Sequence, residues 1–339
     1  MSKLSRLILL PLAALFALLP LSACTEERED GVTLIRVNEV THSVFYAPMY
    51  LADSLGYFEE ENIKIELTNG GGADKVMAAV LSGDADIGFC GPEAAIYVLL
   101  GGTTDVPTVF GQLTRRDGSF LVSRTDEPDF RWEDLAGKEV LAGRKGGVPA
   151  MTFEYVLNAN ELYDGQNVKM NYDVAFNLMT SAFEAGTADY CTMFEPVASE
   201  YEKAGKGYVV ASVGEASGEV PYTCYIAKES YIEKNTDTVK GFLRAIMKGI
   251  KYINETASNE AAKYLTAYFD GTDEAAIATS LDSYKKIDSW QKDMTMTTDS
   301  FDRLQDIIEN AGELSKRAEF SELVNTEYST AIYKEVYGL

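Results

Sequence analysis

His42 is the only histidine of the 339-residue chain, and it stands among aromatic side chains in the segment THSVFYAPMYLADSLGYF, residues 41–58. A neutral imidazole offers one hydrogen-bond donor and one acceptor, which suits a polar heteroaromatic ligand. His42 follows a predicted strand and precedes a helix predicted to begin near Ser43, and ligands of α/β proteins bind at such strand ends. We therefore expect His42 to contact a ligand; a structural role for a lone histidine is the alternative.

Other side chains could recognise a small molecule. Glu195 could accept a hydrogen bond from an amino group, although a glutamate at a helix start is also favoured by the helix dipole. Glu93 carries the same two interpretations, with the structural one favoured. Arg144, beside a glycine-rich turn, could bind a phosphate or sulfonate or could be a solvated loop charge. Tyr46 and Tyr222 lie near predicted loops and could stack on a flat ring.

The chain lacks the sequence patterns of the common catalytic sites. No HExxH, P-loop or GxSxG pattern occurs, and one histidine with dispersed carboxylates does not assemble a catalytic pair. Cys90, Cys191 and Cys224 are odd in number and do not follow CxxC spacing, which predicts buried thiols rather than a disulfide framework or a zinc site. We therefore expect no catalytic residue, no bound metal and no cofactor.

Short β-rich runs alternate with helical patterns from residue 33 onward, which is typical of α/β architecture. Strands are predicted at 34–40, 63–68, 85–90 and 137–143, and a helical pattern follows each of them. The first of these helices is predicted to end near Gly56, a plausible C-terminal cap. The chain is long enough and apolar enough, at 46% hydrophobic residues, to form two lobes.

A weak internal repeat supports two lobes. The stretches SGDADIGFCGPE (82–93) and AGTADYCTMFEP (185–196) align without a gap, and each ends at a proline–glutamate pair in opposite order. The glycine-rich turns at 69–74 and 144–149 each stand between a predicted strand and a predicted helix, and this second pairing aligns the two turns with each other. The repeat predicts two similar lobes whose strand-end loops face each other across a cleft, although helix–turn–strand units often look alike by chance.

The chain resembles the periplasmic solute-binding proteins of ABC importers, in the branch for nitrate, sulfonate, taurine and thiamine pyrimidines. The motifs that carry the resemblance are GYF (56–58), GDADIGF (83–89), DLAGKEV (134–140) and FEP (194–196), in this order. The resemblance implies a type II periplasmic-binding-protein fold, with two α/β lobes around a ligand cleft joined by two hinge crossings. It also implies that the cleft closes on the ligand and that a membrane permease receives the closed form.

The same resemblance points to positions that face the ligand, although the binding side chains vary within the branch. These positions are Thr41, His42, Gly71, Gly72, Asp74, Cys90, Gly91, Gly146, Gly147 and Glu195.

The two crossings between lobes are predicted at 122–130 and 217–225, which are polar or proline-containing. They divide the chain into lobe I, residues 33–124 and 224–339, and lobe II, residues 125–223. The helical tail from about Tyr231 is predicted to pack on lobe I.

The N-terminus predicts export and lipidation. Lys3 and Arg6 precede an apolar run, Leu7–Leu19, that is shorter than the roughly 20 residues of a membrane span and suits a signal peptide at 1–23. The following LSAC sequence resembles the lipobox of bacterial lipoproteins. It implies a lipid on Cys24, a polar tether at 24–32 and a location outside the cytoplasm, anchored to the bacterial membrane.

Net charge excludes two classes of partner. Removal of residues 1–23, with Lys3 and Arg6, changes the formal charge from −23 to −25. So acidic a chain repels nucleic acid and anionic lipid.

We expect a monomer that captures a small molecule for an ABC permease, with a thiamine pyrimidine precursor or a similar nitrogen heterocycle as the favoured ligand. A sulfonate or nitrate-type oxyanion is the alternative; less favoured are a thiamine-pyrimidine-synthase-like enzyme and a sensor or adhesin.

Overall fold

Two five-stranded sheets form the framework of residues 31–339, the part of the chain that the computed structural model describes. The strands are β1 (Thr33–Glu39), β2 (Ile63–Asn69), β3 (Ile87–Cys90), β4 (Pro107–Thr114), β5 (Ser119–Ser123), β6 (Glu139–Leu141), β7 (Lys169–Met170), β8 (Tyr190–Phe194), β9 (Tyr208–Ser212) and β10 (Thr223–Lys228). The first sheet has the order β2-β1-β3-β10-β4 and the second β7-β6-β8-β5-β9.

Helices cover both sheets. They are α1 (Ala47–Ser54), α2 (Tyr57–Glu60), α3 (Ala73–Ser82), α4 (Glu93–Leu100), α5 (Val148–Ala159), α6 (Met179–Glu184), α7 (Val197–Lys203), α8 (Val213–Ser217), α9 (Glu229–Lys234), α10 (Thr236–Glu255), α11 (Ser258–Ala262), α12 (Glu274–Lys286), α13 (Thr298–Asn310), α14 (Phe320–Leu323) and α15 (Glu327–Tyr337). Short 3-10 helices lie at Val44–Tyr46, Trp132–Leu135 and Phe176–Leu178. The α/β class predicted from the alternating patterns is confirmed.

The two sheets share one pairing pattern, as the sequence repeat predicted. In each, three strands are parallel and the fourth in spatial order, β10 or β5, is antiparallel to both of its neighbours. The two aspartates at matching positions of the sequence repeat, Asp86 and Asp189, make the same contacts. The Asp86 N–H donates to Arg36 O and the Asp86 carboxylate accepts from Arg36 N, while Asp189 makes both bonds to Glu139, all at 2.9 Å.

This topology corrects one alignment made from the sequence. β6 lies beside β8 as β1 lies beside β3, so the turn at 144–149 corresponds to the loop after β1 and not to the turn at 69–74. The alignment was wrong because a glycine-rich turn between strand and helix occurs at both places, whereas position in the sheet is fixed by long-range pairing.

The first crossing between lobes lies at 115–118 and not at 122–130. β5 pairs with β8 and β9 in the second sheet, and it is buried throughout, so the polar stretch that follows it is a loop of lobe II. The second crossing, at 218–222, lies inside the predicted range. The two crossings run side by side, since Val220 N donates to Arg115 O at 2.9 Å and Tyr222 N to Thr114 O at 3.1 Å.

The C-terminal tail packs on both lobes, whereas the sequence predicted lobe I alone. α10 buries a face that repeats every three to four residues, including Val239, Phe242 and Ile246, and packs on α1 and α15. α13 instead packs on α5 of lobe II. Between them the chain runs along β4, where Gln112 N donates to Met294 O at 2.8 Å.

The described residues bear only in part on the predicted anchor. Among residues 31–339, no helix has the length and apolar character needed to cross a membrane. The predicted signal peptide at 1–23 and the predicted lipidation site at Cys24 lie outside the described residues.

Candidate ligand-binding cleft

A cleft lies between the two lobes at the carboxyl ends of β1, β3 and β8. Lobe I contributes the loop after β1 and the starts of α3 and α4, and lobe II contributes the glycine turn that leads into α5. The structure therefore brings together the two glycine-rich turns singled out in the sequence. The predicted ligand residues that line this cleft are Thr41, Tyr46, Gly71, Gly72, Gly91, Arg144, Gly147 and Tyr222.

Aromatic rings from both lobes and from a crossing form much of the wall. Phe176 and Phe194 of lobe II lie with ring centroids 5.8 Å apart, and Phe194 lies 6.4 Å from Tyr222 in the second crossing. Tyr46 of lobe I also lines the cleft, and buried Phe45 contacts Phe194 and Tyr222 at 5.8 and 5.9 Å. Such walls suit a ligand with a flat ring, because the ring buries apolar area and stacks in an offset geometry against the aromatic side chains.

Glu93, the first residue of α4, places a carboxylate in the wall. The residue is 3% exposed, and its Oε2 atom has no hydrogen-bond partner among the described residues. Burial raises the pKa of the carboxyl to about 7, while the backbone N–H groups of Glu93, Val148 and Ala94 and the charge of Arg144 act to lower it. The sequence favoured a structural role for Glu93, whereas the structure places it in the wall of the cleft with one buried oxygen unpartnered among the described residues.

Two contacts hold the lobes together at the mouth of the cleft. Arg144 Nη2 of lobe II lies 3.3 Å from Asp74 Oδ1 of lobe I. The Tyr97 hydroxyl of α4 donates to Gly146 O at 3.2 Å, so α4 touches the turn before α5. The lobes are therefore closed on each other, and the charge of Arg144 is balanced by Asp74.

His42 does not line this cleft. Its Nδ1 lies 2.7 Å from Glu39 Oε1 and its Nε2 lies 2.8 Å from Tyr268 O, so both ring nitrogens have partners. The Glu39 hydrogen bond raises the pKa of His42. Its ring packs between Tyr50 and Phe269, with both centroids 4.9 Å away. The imidazole joins β1 to the chain after α11 and lines a pocket that adjoins the cleft at Phe176 and Phe194, so its contact with a ligand stays a prediction.

The remaining predicted positions lie beside the cleft. Glu195 points into its own helix, where Ser199 N donates to Oε2 at 3.0 Å and Ser199 Oγ to Oε1 at 2.7 Å. Cys90 is fully buried, and burial raises the pKa of its thiol. Asp74 and Gly146 make the contacts between lobes described above. None of these four residues is in the wall, although Glu195 lines the adjoining pocket, and their contact with a ligand stays a prediction.

The sequence did not predict that Phe176, or Val148 and Pro149 at the start of α5, would line the cleft. A signal existed for α5, because Pro149 in the first turn marks a helix start. Phe176 belongs to a short 3-10 helix with no buried residue, and no periodicity marks it.

The described residues agree with the predicted state of the cysteines. Cys90, Cys191 and Cys224 are free and buried, which confirms the prediction of buried thiols. Residues 31–339 contain no cluster of three or more His, Cys, Asp or Glu side chains arranged to hold a metal ion.

The sequence profile described as NMT1/THI5 like matches residues 44–259, well over half of the chain. The chain belongs to the NMT1/THI5-like family. The match spans lobe II, both crossings and most of lobe I, and it confirms the family resemblance read from the motifs.

Two relatives by sequence and one solved structure are similar to the NMT1/THI5-like chain. YtlA of Bacillus subtilis (strain 168), named as an inferred binding protein, is 40% identical over 322 residues, which are 95% of this chain and 96% of YtlA. The 4-amino-5-hydroxymethyl-2-methylpyrimidine phosphate synthase of Aspergillus parasiticus is 26% identical over 62% of this chain and 63% of the synthase. The alkanesulfonate-binding protein SsuA of Xanthomonas axonopodis pv. citri, solved with MOPS bound, superposes with a TM-score of 0.70 at 17% identity and covers 86% of this chain and 98% of SsuA. The structural similarity confirms the periplasmic-binding-protein fold.

Proposed function

We propose that this protein is the solute-binding component of an ABC importer and that it captures a small nitrogen heterocycle outside the cytoplasm. The observation that carries the proposal is the cleft between the lobes, whose aromatic wall is shared by Tyr46 of lobe I, Phe194 of lobe II and Tyr222 of a crossing. A site divided in this way binds best when the lobes close, which couples ligand capture to a change of shape that a permease can recognise.

The proposed ligand class is a thiamine pyrimidine precursor or a similar compound with amino groups on a flat ring. Aromatic walls favour the ring, and the buried Glu93 carboxylate favours a hydrogen-bond donor on it. The name of the Aspergillus relative, a synthase of an aminopyrimidine phosphate, supports the same class.

An oxyanion is the second candidate, favoured by one observation. α3 begins at the glycine turn with no side-chain cap, and Gly71, Gly72 and Arg144 all face the cleft. Helix starts of this kind attract sulfonates and phosphates. Asp74 already pairs with Arg144, however, and Glu93 adds a carboxylate to the wall, so the local charge disfavours an anion.

The side chains in the cleft support binding rather than catalysis. The only histidine has both ring nitrogens engaged outside it, by Glu39 and the Tyr268 carbonyl. Among residues 31–339, Glu93 is the one carboxylate in the wall, and the nearby Cys90 thiol is buried with a raised pKa. A synthase-like enzyme would instead require turnover, so conversion of the bound compound by the purified protein would reverse this part of the proposal.

The proposal includes the route and the partners expected from the sequence. Signal peptide 1–23 exports the chain, a lipid on Cys24 holds the monomer at the membrane, and the permease is its protein partner. Cys24→Ala is expected to release the protein from the membrane fraction; retention of the variant would remove the lipid anchor from the proposal.

A thermal-shift screen combined with small-angle scattering tests the function. 4-Amino-5-hydroxymethyl-2-methylpyrimidine is expected to raise Tm in a concentration-dependent way, as linkage requires, and to favour the compact form. MOPS and nitrate serve as oxyanion probes. Stabilisation by the oxyanions alone would select the second candidate, and no response to any compound of either class would reject the binding function.

A further inference from the structure

Glu93 lies where two helices of different lobes begin. It is the first residue of α4, and α5 begins nearby at Val148, with no side-chain cap at either start. Backbone N–H groups of both starts act on the Glu93 carboxyl. Free N–H groups and the helix dipole make such a place suitable for an anion. Here a carboxylate of the chain itself occupies it.

Gly91 makes room for this arrangement. A Cβ atom built on Gly91 would lie 2.0 Å from Glu93 Oε2 and 2.8 Å from its Cδ. The carboxylate therefore folds back over the residue that follows β3, and a side chain at position 91 would displace it. The local sequence Gly-Pro-Glu thus places the acid in the wall of the cleft.

One oxygen of the Glu93 carboxylate lacks a donor within the described protein. Oε2 is buried without a partner, although donors are close. The Tyr97 hydroxyl donates to Gly146 O, and Arg144 pairs with Asp74. A buried polar atom left without a hydrogen bond is unfavourable, and in a ligand site the ligand is the natural source of the missing donor.

We propose that Glu93 determines the charge class of the ligand: it accepts a hydrogen bond from an N–H group of a neutral or cationic nitrogen compound, and it excludes oxyanions by repulsion and by occupying their place. This inference rests on the proposed function, because it requires a solute in the cleft. The same side chain thus determines specificity in two ways, because it attracts a ligand with an N–H group and repels an oxyanion.

Calorimetric titration of the purified protein tests the assignment, with 4-amino-5-hydroxymethyl-2-methylpyrimidine and MOPS as probes. At pH 8, where most of the Glu93 carboxyl is ionised, the wild type is expected to bind the pyrimidine and to show no binding of MOPS. Glu93→Gln is expected to weaken pyrimidine binding by at least about tenfold, the usual effect of losing a charged hydrogen bond. Glu39→Gln is the matched control, since it changes an equally buried acid that is absent from the cleft wall and pairs with His42 and Tyr50, and it is expected to bind within about twofold of wild type.

The outcomes separate this inference from the proposed function. MOPS binding by the wild type, or equal pyrimidine affinity in wild type and Glu93→Gln, would overturn the role of Glu93 and leave the binding function standing. No binding of either probe by the folded wild type would overturn both this role and the proposed ligand class. If Glu93→Gln does not fold, Glu93→Asp keeps the charge and retracts the oxygens; it is expected to bind the pyrimidine more weakly and still not MOPS, and unchanged pyrimidine affinity would overturn the role.

Discussion

Two glutamates occupy equivalent loops in the two lobes but meet different surroundings. Glu93 follows β3 and Glu195 follows β8, each beside a proline. Both are buried, at 3% and 4% exposed. Glu195 receives two hydrogen bonds from Ser199, whereas Oε2 of Glu93 receives none from the described residues.

The difference shows how one loop topology serves structure in one lobe and recognition in the other. Where the chain supplies the donors, as at Glu195, the carboxylate accepts two hydrogen bonds from the first turn of α7. Where glycine and proline precede the acid, as at Glu93, the carboxylate folds over the strand end and one of its oxygens is left without a partner among the described residues.

The largest expected effect is on the way the free energy of unfolding depends on pH. The folded pKa of Glu93, about 7, lies above the ordinary 4.5, so the folded state favours the protonated form. Ionisation of Glu93 therefore destabilises the folded protein. This loss of stability is absent below pH 4.5 and complete above pH 7, where it amounts to about 3 kcal/mol, because each pKa unit corresponds to about 1.4 kcal/mol.

Denaturant titrations of ligand-free wild type and Glu93→Gln, at pH 4.5 and pH 8, measure this difference. The free energy of unfolding of the wild type, relative to the variant, is expected to fall by about 3 kcal/mol at the higher pH. Asp117, whose pKa burial raises to about 6, is common to both proteins and cancels. Parallel pH profiles for the two proteins would be incompatible with an ionisable acid buried in the cleft.

The second prediction makes Glu195 resemble Glu93. Ser199→Ala removes the hydroxyl that donates to Glu195 Oε1 at 2.7 Å, and it is expected to lower the free energy of unfolding by about 1.5 kcal/mol. Ligand affinity should stay unchanged, because this acid is not in the wall of the cleft. A variant with full stability would show that Ser199 contributes little to holding Glu195.

The third prediction removes the space that Glu93 uses. Gly91→Ala places a methyl group where Oε2 lies, so the flexible carboxylate must rotate away, and pyrimidine affinity is expected to fall about tenfold. Gly101→Ala, at a helix end with φ of −72°, is the control and should bind normally. Equal affinities in the two variants would argue that the carboxylate position does not matter for binding.

The smallest expected effect is at the mouth of the cleft. Asp74→Asn breaks the ion pair with Arg144, and both side chains are more than half exposed, so stability should change by only a few tenths of a kcal/mol. The lobes are expected to open more often, which small-angle scattering would detect as a larger radius of gyration without ligand. Identical scattering from variant and wild type would show that other contacts keep the lobes closed.

Much of the fold was predictable because its signals are local. The strands at 34–40, 63–68 and 85–90 and the helix that ends near Gly56 follow from hydrophobic periodicity and capping, and the structure confirms them within one or two residues. The position of β5 in the second sheet was not predictable in this way, because pairing with β8 and β9 depends on residues about 70 to 90 positions later in the chain.

The candidate site shows the same limit. The loops around the cleft were predictable from strand ends and glycine turns, but the direction of individual side chains was not. His42 turns toward Tyr268 and Phe269, more than 220 residues away in sequence, and no local pattern announces these partners. Glu93 and Glu195 look alike in sequence, and only the contacts around them separate their roles.

A crystal structure of the protein with bound 4-amino-5-hydroxymethyl-2-methylpyrimidine tests the central claim most directly. We predict the ring between the aromatic walls at Tyr46 and Phe194, with an amino nitrogen within hydrogen-bond distance of Glu93. A pyrimidine bound away from the cleft, or one in the cleft with its N–H groups turned from Glu93, would contradict the account.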